Sequence, residues 1–76
     1  MSTTVPLPPE GRMANDIARA FRHLPEDRAA EAVAGHIHRF WDPRMRTRLS
    51  RFVDEGTEGL APEVIAAVSL LARPES

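Results

Sequence analysis

The stretch "GHIHRFWDPRMR" at residues 35–46 concentrates the side chains best suited to chemistry. His36 and His38 form an H-x-H pair beside the only tryptophan and a run of arginines. On a strand, the two imidazoles would point the same way and could share a metal. On a helix, two residues correspond to about 200° of rotation, and the pair diverges. No carboxylate or third histidine stands four residues from either on a common face, and His23 is far away in the chain. The histidines are therefore expected as polar flanks of an amphipathic helix, with no metal site.

Nucleophilic and acid–base chemistry lacks a supporting cast. The serines lie near the two ends and at Ser50 and Ser69, outside any G-x-S-x-G turn. The four glycines are scattered, so no phosphate-cradling loop is present. The pairs Glu26/Asp27 and Asp54/Glu55 sit at expected helix ends, where capping explains them better than acid–base work. No catalytic and no cofactor-binding residue is expected in this chain.

The arginines are the stronger signal. Arg39, Arg44, Arg46, Arg48 and Arg51 are offset locally only by Asp42. On a helix, 44, 48 and 51 share a face, and Phe40 and Trp41 can stack on a guanidinium. Three readings compete. One is a solvated face neutralised by Asp54, Glu55 and Glu58. Another is a nucleic-acid surface, with arginines on phosphates and aromatics on bases. The third is a protein interface, where tryptophan and arginine are typical anchors. The formal net charge of −1 weighs against nucleic acid and leaves it the alternative.

Composition limits what can position these groups. A chain of 76 residues allows one small domain with a modest core. It has no cysteine, so neither a disulfide nor a thiolate metal site can staple it. All ten basic residues are arginine, each a planar fork suited to bidentate pairing. No apolar run approaches the roughly 20 residues that span a bilayer. The polar, proline-rich opening does not resemble a signal peptide, and a cytoplasmic location is expected.

Helical periodicity dominates. Residues 1–11 read as a flexible, proline-rich lead-in. Met13, Ile17, Ala20, Phe21 and Leu24 predict a helix over 12–23, ended by Pro25. Ala30, Val33, Ile37, Phe40 and Trp41 trace one stripe of a helix over 26–40. Its alanines permit close approach, and Gly35 is tolerable if another backbone packs there. Asp42-Pro43 is an N-cap and first-turn signal for a helix over 43–54, with Met45, Leu49, Phe52 and Val53 inward. After the turn-rich "EGTEG", a last helix over 62–72 turns Val64, Ile65, Val68 and Leu71 inward, and 74–76 form a tail. No sustained apolar–polar alternation predicts a strand. The expected fold is all-α: one small domain over 12–73 of three to four short helices.

Three blocks carry a resemblance: "RMANDIARAF" at 12–21, "AAEAVAGHIHRFWDPRMR" at 29–46 and "GLAPEVIAAV" at 59–68. They resemble the delta subunit of NAD-dependent formate dehydrogenase, over about residues 12–72. The H-I-x-x-F-W-D-P-R-M-R string is the most specific part; the third block alone would be weak. The resemblance implies a non-catalytic accessory subunit supporting assembly, stability or molybdenum-cofactor maturation of a soluble complex. That complex converts formate and NAD⁺ to CO₂ and NADH. Its partner subunits are expected to hold bis-molybdopterin guanine dinucleotide with molybdenum or tungsten, iron–sulfur clusters, FMN and NAD. The family motif puts Phe40, Trp41, Asp42, Pro43, Arg44, Met45 and Arg46 at the important corner. With Arg48 from the arginine face, these are the expected contacts to the large catalytic subunit. The opening residues, the "DEGTEG" linker and the tail depart from the motif region.

Overall fold

The computed structural model describes residues 7–72. They form four helices: α1 (Pro9–Ala20), α2 (Glu26–Phe40), α3 (Pro43–Asp54) and α4 (Pro62–Ala72). No strand occurs among the described residues. Proline punctuates every start: Pro9, Pro43 and Pro62 are first helical residues, and Pro25 precedes α2 at its N-cap. A proline lacks the N–H that would be unpaired there, and its ring presets φ.

The helix over 12–23 differs from expectation at both ends. It begins at Pro9, inside the stretch read as a lead-in, with Glu10 in its first turn. It stops at Ala20, and residues 21–24 tighten into turns, with the Leu24 N–H bonded to the Phe21 carbonyl at 3.0 Å. The remainder of the expected lead-in, residues 1–6, and the tail at 74–76 lie outside the described residues.

The core is built on small residues. α2 packs most extensively on α4, through Ala30, Val33, Ala34 and Ile37 on one side and Val64, Ala67 and Val68 on the other. Gly11, Ala14 and Ala18 form the buried edge of α1, with Ile17 and Phe21 only half-buried and Met13 exposed. Periodicity followed the large side chains of α1, whereas close packing selected the small ones beside them. Ile65 was expected inward on α4, yet it is exposed, and Ala67 takes the buried place. Leu49 is the fully buried residue of α3.

Between α3 and α4 the chain makes a Schellman turn. Gly56 has φ 71°, its N–H bonds the Val53 carbonyl, and the Thr57 N–H bonds the Phe52 carbonyl, both at 3.0 Å. Asn15 on α1 then holds the loop. Its Nδ2 donates to the Gly59 carbonyl at 2.8 Å, and its Oδ1 accepts from the Ala61 N–H at 2.8 Å. Leu60, delivered by that loop, is buried, within reach of Gly11, where an added Cβ would stand 3.3 Å from its Cδ2.

Candidate functional site: the corner between α2 and α3

α2 ends at Phe40, and two residues later α3 begins. Trp41 is extended (φ −98°, ψ 142°), and its N–H still reaches the Ile37 carbonyl at 2.9 Å. Asp42 is also extended (φ −77°, ψ 166°), as a residue before proline must tend to be. Its carboxylate accepts from the Met45 N–H at 3.0 Å, the N3 position of α3. Proline at N1, carboxylate on N3 and the last helical bond of α2 fix the angle without a flexible link.

The corner sorts its side chains. Trp41 is 6% exposed and belongs to the main core cluster with Ile37, Leu49 and Val64. In the chain by itself it is a core residue. Phe40, expected on the same inward stripe, is 66% exposed. It sits at the last turn, on the outer side of α2 with Ala32 and His36. Its ring stacks on His36 at 4.7 Å between centroids, tilted by 43°. Asp42 and Pro43 are used in the cap. Met45 is half-buried. Arg44 is exposed, and neither it nor Arg39 has an ion-pair partner among the described residues.

Two of the arginines are tied within the chain. Arg46 Nη1 lies 3.2 Å from His38 Nδ1, and Arg48 Nη1 donates to Glu10 Oε2 at 3.2 Å. The Glu10 side chain is largely covered while Arg48 remains mostly open. The five arginines therefore do not form one free cationic face. His36 and His38 lie on different sides of α2, as helical geometry requires: His36 stacks on Phe40 and His38 meets Arg46. Among the described residues, no three His, Asp or Glu side chains gather closely enough to hold a metal. Among the described residues nothing lies within 4 Å of a Cβ added at Gly35, so no neighbouring backbone packs there.

Sequence reasoning missed Asn15 and Glu10. Each works through a residue far along the chain: Asn15 through Gly59, 44 positions on, and Glu10 through Arg48, 38 positions on. No local spacing announces such pairings.

The site thus defines a class: a small helical domain whose distinctive words build a rigid interhelical corner. The family described as "NADH-dependant formate dehydrogenase delta subunit FdsD" matches residues 12–68, a span that includes the whole corner. The chain belongs to that formate dehydrogenase delta-subunit family. No curated protein and no solved structure matches it. No helix among the described residues is long and apolar enough to cross a membrane.

Proposed function

We propose that this chain is a non-catalytic accessory subunit of an NAD-dependent formate dehydrogenase. It supports assembly, stability or molybdenum-cofactor maturation by direct contact with the large catalytic subunit. In this reading the formate-oxidising chemistry, and the molybdopterin, iron–sulfur, FMN and NAD groups it requires, reside in the partner subunits, and this chain binds none of them. The observation that carries the reading is the family match running through the corner. A rigid corner that leaves Phe40 exposed, with Arg39 and Arg44 lacking an ion-pair partner among the described residues, supports it, since aromatic and guanidinium groups are the usual anchors of protein interfaces.

The test is co-expression of a tagged chain with the other formate dehydrogenase subunits, followed by gel filtration of precursor and mature enzyme. Stoichiometric retention in the mature enzyme identifies a permanent subunit. Retention only with a cofactor-free precursor identifies a maturation factor. Absence from both removes the proposal. Steeply salt-dependent binding to DNA or RNA, with no affinity for the large subunit, would replace it with the nucleic-acid reading of Arg39–Arg51.

A further inference from the structure

Of the three exposed large hydrophobic residues among those described, Met13 and Phe40 line one shallow depression between α1, α2 and the start of α3. Ile17 and Met45 form its floor with the edge of Trp41. Phe40 also borders a second depression along the outside of α2, shared with Phe21, Ala32, Gly35, His36, His38 and Arg39. The aromatic ring is thus the ridge between two apolar hollows. Two of those three side chains thus share one place, a surface suited to a partner.

Cations outnumber carboxylates around this ridge. Asp16, which lines the first hollow, lies 3.9 Å from Arg19, and Asp42 caps α3. Arg39, beside Phe40, and Arg44, next to Met45, have no carboxylate partner among the described residues. A second copy of the chain is a poor occupant, because a two-fold contact centred on Phe40 would bring like arginine rims together. We infer that the Phe40 ridge and its two hollows receive an acidic amphipathic segment of another formate dehydrogenase subunit. Apolar side chains of that segment fill the hollows, and its carboxylates pair with Arg39 and Arg44. This inference rests on the accessory-subunit reading. It moves the docking surface away from Trp41, Asp42 and Pro43, which hold the corner, to Met13, Ile17, Phe40 and the free arginines.

Gly35 provides a means of blocking the surface, since an added Cβ there has nothing within 4 Å among the described residues. The experiment compares the wild-type chain with Gly35→Leu, Arg39→Glu/Arg44→Glu and Ile65→Ala, each co-expressed with the other formate dehydrogenase subunits. Ile65 is exposed on α4, away from the ridge, and serves as the control. The readouts are the amount of chain retained on the complex and the thermal melt of the chain alone. The expected result is native-like melting for all three variants. Retention should fall about tenfold or more for the first two and stay at wild-type level for Ile65→Ala. Arg44→Glu places a carboxylate in the first turn of α3, where helix polarity favours it, and this offsets the loss of a cation from the last turn of α2 at Arg39. If Gly35→Leu melts lower, the charge-reversal variant decides alone. Wild-type retention combined with equal retention of the charge-reversal variant overturns this inference and leaves the accessory role standing. A wild-type chain absent from the complex overturns both. A stable dimer of the chain alone, lost in the same two variants, assigns the surface to a second copy and overturns the acidic-segment inference.

Discussion

The two sides of α2 differ in kind. The inner side places Ala30, Val33, Ala34 and Ile37 against α4 and α1 and ends in Trp41, all buried. The outer side carries Ala32, Gly35, His36 and Arg39 and ends in Phe40, two-thirds exposed. Adjacent aromatics in one sequence word therefore have opposite physical roles. Trp41 joins the corner to the core, whereas Phe40 is held outside it by the geometry that Trp41 and Asp42 fix. A motif can mix residues that make a fold with residues that the fold presents.

The sharpest way to break this division is Trp41→Ala. Removing a buried indole from a domain this small costs about 3–5 kcal/mol, much of the stability such a domain possesses. The isolated chain should lose its cooperative thermal transition by circular dichroism. A variant that melts near wild type would show that Trp41 is not a core residue and would erase the contrast with Phe40.

Asn15→Ala probes a second device that holds the fold. It removes both hydrogen bonds that tie α1 to the loop before α4 and leaves the Ala61 N–H without its partner. The expected loss is about 1–3 kcal/mol, measured by urea denaturation. Asp42→Ala removes one cap and should cost about 1 kcal/mol. Asn or Ser at position 42 should restore most of it, because either can accept from the Met45 N–H. Failure of that rescue would mean the carboxylate does more than cap.

Much of this was legible without coordinates. Proline positions located three helix starts within a residue, and Asp42-Pro43 announced its cap correctly, because these signals are local. Inward faces were legible wherever the largest residues were also the buried ones, as at Val33, Ile37, Leu49 and Val64. They were misread on α1, where Gly11, Ala14 and Ala18 do the packing, and at Ile65 and Phe40. Side-chain size is a poor guide where helices approach closely, and a large apolar residue at the edge of a stripe need not face the core. The start at Pro9 was hidden for another reason: the prolines that open a helix read equally well as loop. At the candidate site, divergence of the histidines followed from helical rotation alone. The fates of Arg46 and Arg48 did not, since His38 and Glu10 are brought to them only by tertiary packing.

Gly35→Ala sharpens the comparison with the opposite sign. A glycine inside a helix costs about 0.5–1 kcal/mol relative to alanine, and nothing stands within 4 Å of the new methyl group. The isolated chain should become more stable by about that amount, seen as a higher melting temperature. Destabilisation would mean that the outer side of α2 is packed against something within the chain, contrary to its open geometry.

Phe40→Ala should produce the smallest change in stability, and it is the natural partner of Trp41→Ala. The ring is mostly in water, and its contact with His36 is an i, i+4 pair on a helix surface. Such pairs contribute about 0.2–0.5 kcal/mol, and alanine's higher helix propensity offsets part of the loss. Urea denaturation of the isolated chain should therefore place Phe40→Ala within about 0.5 kcal/mol of wild type, the range of ordinary surface substitutions. A loss of several kcal/mol would put the ring in the core and end the distinction between the two neighbours. A near-zero change, beside the collapse expected for Trp41→Ala, would mean that what Phe40 does lies outside the chain's own fold.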